Sequence, residues 1–207
     1  MGTLKEQNAR YVWVFFAFNS LLFYSLSFIP VINQADFDWK SFLIARSIWL
    51  LIVPIILFIV SGLLTSDQKA GLVFWRRRHA LPGHRAFSTH LGSDTRIDAG
   101  VIKSRYNPLP NTPEEENALW YKLYKTHGEI PFVKRSHKDF LLGRELTSIA
   151  FLFLLIGGIS GLFWIEGLNR FYYLSFMILQ YIILSYVTMN YARRFVTNVL
   201  ATESTRS

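Results

Sequence analysis

Four long runs without a single charged residue limit what this chain can fold into. They are "YVWVFFAFNSLLFYSLSFIPVI" (11–32), "SIWLLIVPIILFIVSGLL" (47–64), "LTSIAFLFLLIGGISGLFWI" (146–165) and "FYYLSFMILQYIILSYVTMNYA" (171–192). A helix that crosses a bilayer needs about 20 predominantly apolar residues. Four such runs in 207 residues exceed what a soluble core of that size would use. They are continuous rather than alternating, which argues against a transmembrane barrel. The first run lacks a short apolar stretch followed by a small-residue cleavage site, so it reads as a span rather than a secretion signal. The expected fold class is an all-α membrane protein with four transmembrane helices and a small, mostly helical insert between spans two and three. Composition agrees: 51% of residues are hydrophobic, and only 17% are charged, against ~25% in soluble domains.

Basic residues near membrane spans mark the cytoplasmic side. The insert carries Arg76, Arg77, Arg78, Arg85, Arg96, Lys134, Arg135 and Arg144 among others, and Arg193 and Arg194 follow the fourth run. Lys5 and Arg10 precede the first. The loop between the first two runs sets Asp36 and Asp38 against Lys40 and Arg46, and "EGLNR" is nearly neutral. Both termini and the segment 67–145 are therefore expected inside. The chain divides into an N-terminal pair of spans (1–66), the cytosolic insert (67–145) and a C-terminal pair of spans with a short basic tail (146–207). Cysteine is absent, which excludes disulfides and Cys-ligated zinc or iron–sulfur sites.

Within the insert, "AGLVFW" (70–75) reads as an extension of span two or an interfacial helix turn. In "ALPGHR", Pro82 and Gly83 fit positions i+1 and i+2 of a type II turn, with Gly83 at positive φ. "SDTRIDAGVIKSRY" is expected to hold one short helix with Ile97, Val101 and Ile102 on one side. Thr112, Pro113 and Glu115 make an N-cap, a first-turn proline and a capping box. They start a helix over 113–127 that stops at Gly128, with Leu119, Trp120, Leu123 and Tyr124 as its apolar stripe. A second start at Pro131 runs on into span three, giving about 35 residues and ~50 Å of helix, unless Gly143 breaks it. Pro54 is expected to kink span two.

Arg76, Arg77, Arg78, His84 and Arg85 form a basic surface shaped by Pro82 and Gly83. Its bland reading is a topology signal. Its functional readings, in falling order, are anionic lipid headgroups, a nucleotide or small anion, and nucleic acid. Trp120 and Tyr124 are expected to offer a docking face for a partner protein. Gly157 and Gly161 form a GxxxG pair that permits close helix approach, within the chain or between copies. The five histidines are scattered without acidic neighbours at ligand spacing, so no metal is expected. No nucleotide-binding, hydrolase or metalloprotease motif is present, so no catalytic residue and no cofactor are assigned. No acidic or basic residue falls in mid-span, which argues against coupled ion transport.

The blocks "LVFWRRRHALPGHRAFS" (72–88), "NPLPNTPEEENALWYKLYK" (107–125) and "KDFLLGREL" (138–146) resemble a group of small bacterial four-span membrane proteins with an LPGxRAF-type cytosolic loop. The layout also resembles membrane components of bacterial anti-phage defence systems. That resemblance implies an inner-membrane sensor or effector, homo-oligomeric, beside a soluble partner, and not an enzyme. A small channel or transporter is the alternative, and a membrane enzyme acting on lipid or nucleotide is a further one.

Overall fold

The chain is seen in a computed structural model that describes residues 4–32 and 55–206. The loop with Asp36, Asp38, Lys40 and Arg46, and the first part of the second run with Pro54, lie outside the described residues. Among those described there is no strand. The helices are α1 (Leu4–Ile32), α2 (Ile55–Leu63), α3 (Ser66–Phe74), α4 (Ala99–Arg105), α5 (Pro113–His127), α6 (Pro131–Leu152), α7 (Gly158–Trp164) and α8 (Asn169–Ser204). A 3-10 turn covers Pro82–Arg85, and a five-residue π turn, Phe153–Gly157, joins α6 to α7.

Two stretches among the described residues are long and apolar enough to cross a membrane. Pro131–Trp164 has 34 residues and Asn169–Ser204 has 36, and the 18-residue windows that qualify within them have mean hydropathies of 2.2 and 1.4. The pair α2 and α3, bent at its break, makes a third if it is one span. α6, the π turn and α7 form one helical stretch from Pro131 to Trp164, as the sequence expects. Gly143 does not break it. There the helix meets α8 so closely that a β-carbon would lie 2.5 Å from Thr188 Oγ1.

The chain folds into two compact units, residues 1–65 with 145–184 and residues 66–144 with 185–207. In the first, Phe16, Phe23, Leu57, Ile149, Leu152, Phe153, Ile165, Tyr173 and Met177 form the core. Its outward side chains are also apolar, among them Val14, Phe18, Phe58, Phe163, Phe171 and Leu179. So large an exposed apolar surface is unsuited to water and suited to lipid. Gly157 and Gly161 serve packing within the chain: their missing β-carbons leave room for Tyr173, which would lie 2.7 Å and 3.0 Å away. Tyr173 thereby fills the GxxxG groove that the sequence left open to a second copy.

The second unit differs from the sequence expectation at its C-terminal part. The residues after 192 are not a tail separate from span four; α8 continues to Ser204, and its end packs with the insert. The cause is a stripe of Ala192, Phe195, Val196, Val199 and Leu200, spaced three and four residues apart and fully or almost fully buried. The same core takes Trp120 and Leu123 from α5, Val133 and Phe140 from α6, Ile102 from α4, and Ala86, Phe87, Leu91 and Ile97 from the intervening loop. Phe195 is its hub, with ring centroids 5.0 Å from Trp120, 5.3 Å from Tyr124 and 4.6 Å from His137.

α5 begins and ends where its caps dictate. The Thr112 hydroxyl accepts from the Glu115 amide at 3.3 Å, the Glu115 carboxylate accepts from the Thr112 amide at 3.3 Å, and Gly128 is the C-cap. α4 is shorter than the segment that suggested it. Asp98 caps it by accepting from the amides of Gly100 and Val101, so residues 93–97 stay outside the helix.

Candidate functional site

The site grows from the end of α3. The Arg76 amide donates to the Gly71 carbonyl at 3.1 Å, and Trp75 sits in the left-handed region at φ 53°. This is the αL helix stop that usually employs glycine. A bulky residue there is strained, and it turns the chain out of the helix. Trp75 is exposed and meets Tyr186 of α8 edge-on at 5.8 Å. Arg76, Arg77 and Arg78 follow, all exposed. His79 contacts Glu114 at 3.2 Å and lies edge-on to His84, whose Nδ1 is 3.2 Å from the Leu81 carbonyl.

Pro82 and Gly83 shape the loop differently from the expected type II turn. They open a 3-10 turn, and Gly83 is not at positive φ. Glycine is required because the backbone lies against α5. A β-carbon would collide with Asn117 Oδ1 and come within 2.7 Å of the Trp120 ring. Glu116 completes the attachment: its Oε2 accepts from the Phe87 amide at 2.8 Å and the Ser88 amide at 3.0 Å. Glu116 is buried. In the first turn of α5 it stands beside Glu114 and Glu115. Yet its spacing to Trp120, Leu123 and His127 puts it on the inward stripe, and that signal distinguishes it from its neighbours.

Arg85 is half-buried, with its guanidinium over the Phe74 ring at 5.6 Å. Its Nη1 is buried without a hydrogen-bond partner among the described residues, and so is His90 Nδ1. A buried polar atom without a partner costs about 1–3 kcal/mol. The two residues are neighbours through one tight turn, in which the His90 amide donates to the Arg85 carbonyl at 3.2 Å. Burial, then the charge of Arg76, lowers the pKa of Arg85, with Glu116 opposing. Burial, then Arg193 and Arg85, pushes His90 from 6.5 down to about 4, again with Glu116 opposing. Half-buried positive charge thus collects around one acidic group, and that group is already occupied by two backbone amides.

His90 gives a testable pH dependence. As pH falls, the unfolded chain takes up this proton near 6.5 and the folded chain only near 4. Between those values the unfolded state binds more protons, so stability falls with falling pH. The denaturation midpoint should drop between pH 6.5 and 4 without added anion, with His137, also pushed down to about 4 by burial, contributing, and His90→Asn should lessen that drop. An unchanged slope in the variant would show that His90 is not one of the responsible groups.

Of the sequence-predicted residues, the structure places Arg76, Arg77, Arg78, His84 and Arg85 in one loop region. It does not add Trp120 and Tyr124 to an outer face. Trp120 is 6% exposed, and Tyr124 is half-buried with its hydroxyl 2.9 Å from His137 Nδ1. The α5 start fixed by Thr112 turns Trp120 and Leu123 inward; the exposed aromatic there is Tyr121, with Lys125 over its ring at 5.2 Å. His90, Arg193 and Glu116 join the site without having stood out in the sequence. Among the described residues no three His, Asp or Glu lie together as a metal-binding group. Compared with known proteins, the chain matches no family model, no curated protein and no solved structure.

Proposed function

We propose that this chain is a non-enzymatic, multi-pass protein of a bacterial inner membrane, a sensor or effector whose basic cytoplasmic face recognises an anionic ligand or a partner protein. It crosses four times, through 11–32, 47–64, 146–165 and 171–192, with both termini and the insert inside. This reading includes a homo-oligomer, assembled through faces other than Gly157 and Gly161, which Tyr173 occupies. It also includes a soluble partner, as in the anti-phage systems that the layout resembles.

The observation that carries the reading is the attachment of the basic loop. A topology signal needs only charge near a span during insertion; it needs no defined fold. Here the loop after Arg76–Arg78 is locked to α5 by Glu116 and by the close approach at Gly83. Arg193 and Arg194 of α8 add exposed charge to the same unit. A preorganised cationic surface of this kind supports binding, because ordering costs are met before the ligand arrives.

The test is the variant Arg76→Gln/Arg77→Gln/Arg78→Gln of the full chain. Juxtamembrane cations contribute about 1 kcal/mol each toward anions near the surface, and 1.4 kcal/mol is tenfold. Binding of fluorescent polyphosphate should fall at least tenfold, while insertion and the inside location of both termini persist. Unchanged polyphosphate binding with an altered topology would mean that these arginines only orient the chain.

A further inference from the structure

Resting on this reading of a basic recognition face, we propose that Arg85, His90 and Arg193 form a cradle for a single phosphate group at the depth of the lipid headgroups. The geometry of the loop and its depth meet there, and the electrostatics agree. The geometry is that of two orphaned buried nitrogens, Arg85 Nη1 and His90 Nδ1. They belong to residues one tight turn apart, on a loop whose backbone is held by the buried Glu116. Natural folds pair nearly all such atoms, and an outside group that reached both nitrogens would complete their bonding.

The charge balance agrees. Arg76 bears on Arg85, and Arg193 bears on His90. Glu116 is the acidic group in range of both, and its Oε2 is committed to the Phe87 and Ser88 amides. An anion with several acceptor oxygens fits this surplus. The Arg85 fork, seated over Phe74, suits a phosphate better than a point charge would, because a guanidinium offers parallel donors.

The depth follows from α8. Along α8 large apolar and aromatic side chains are exposed from Phe171 to Val187, and further along Asn190, Arg193 and Arg194 are. Trp75 and Tyr186, exposed and edge-to-face, stand at that change. Aromatic pairs of this sort gather at the bilayer–water boundary. The cradle follows Trp75 on one side of the fold and Tyr186 on the other, where phosphodiester and phosphomonoester groups of lipids lie. The same chemistry accepts a soluble phosphate.

The full chain in maltoside micelles, which carry no phosphate, separates the two sources. The imidazole of His90 is titrated by NMR alone, with dioleoyl phosphatidylglycerol, and with inorganic phosphate. A bound anion should raise the titration midpoint by one unit or more, and Arg85→Gln should remove the rise. A rise with the lipid alone assigns the headgroup, and a rise with inorganic phosphate alone assigns a soluble phosphate. Retention of phosphatidylglycerol in native mass spectra should fall at least tenfold in Arg85→Gln and in Arg193→Gln, less in Arg85→Lys, and under twofold in Lys103→Gln. Circular dichroism verifies that each variant folds. No rise with either probe in folded protein overturns the cradle. If the triple variant at Arg76–Arg78 still loses polyphosphate in that case, the wider basic-face reading stands without it; if that binding also persists, both fail.

Discussion

Replacing Glu203 with alanine is expected to cost the second unit about 3–5 kcal/mol, the loss that follows when one member of a buried ion pair is removed. Glu203 is fully buried near the end of α8. Its carboxylate lies 2.6 Å from His127 Nε2, accepts from Arg105 Nη1 at 2.7 Å and from the Tyr106 hydroxyl at 2.8 Å. Arg105 also donates to the carbonyls of Glu203 and Arg206, at 2.9 Å and 2.6 Å. One side chain therefore holds α4, α5 and α8 together. Domains are stable by only about 5–15 kcal/mol in total, so the loss is a large share. Glu203→Gln keeps an acceptor and should cost less. The double variant His127→Leu/Glu203→Leu should recover part of the loss, because it leaves no unpaired imidazole where both side chains are buried, while Arg105 reaches solvent. Denaturation of the detergent-solubilised chain, followed by tryptophan fluorescence, reads all three. A change within about 0.5 kcal/mol for Glu203→Ala, the range of ordinary surface positions, would show that the cluster does not hold the unit.

That cluster also marks the limit of what the sequence shows. α5 is legible from four residues: Thr112 and Glu115 cap it, Pro113 presets its first turn, and Gly128 ends it. These effects act within one turn of the chain, so a linear reading captures them. The helix from Pro131 to Trp164 is legible for a similar reason, since no residue in it forces a stop. Glu203 is different. Its partners Arg105 and His127 stand 98 and 76 positions away, and no periodicity announces such a meeting. The end of α8 lies between these cases. Ala192, Phe195, Val196, Val199 and Leu200 carry a helical stripe, but Arg193 and Arg194 within it read as a basic tail. The candidate site shows the same division. Arg76–Arg78 and Arg85 are conspicuous as charge. His90 and Arg193 become part of a site only through the contact of loop and helix. Trp120 and Tyr124, aromatic and close to charges, look like a docking face until the phase of α5 turns them to Phe195.

Gly83→Val should be the most damaging single change in the basic loop, and the geometry at Gly83 predicts an unusual order of costs. In a type II turn, glycine would be needed for its positive φ, and asparagine, which tolerates that conformation, would be an acceptable substitute. Here φ is not the constraint; space is. Asn117 has a short amide that can turn aside. The Trp120 ring is fixed between Phe195 and Tyr124, at 5.0 Å and 5.9 Å, and it cannot yield. Overpacking of a fitted core costs about 1–3 kcal/mol. Gly83→Ala should fall in that range, with Gly83→Asn and Gly83→Val worse than alanine because they are larger. Gly92→Ala, where a β-carbon meets nothing within 4 Å, should be close to neutral. Amide exchange over residues 82–91 should quicken in the Gly83 variants, since the Glu116 bonds to Phe87 and Ser88 loosen once the loop lifts from α5. Polyphosphate binding should fall in parallel, because Arg85 and the arginines before it lose their fixed placement. Asparagine tolerated better than alanine would restore the type II turn and remove the close approach as the reason for glycine. Quickened exchange with unchanged polyphosphate binding would separate the loop's attachment from its charge, leaving Arg76–Arg78 to act as an unstructured cationic segment.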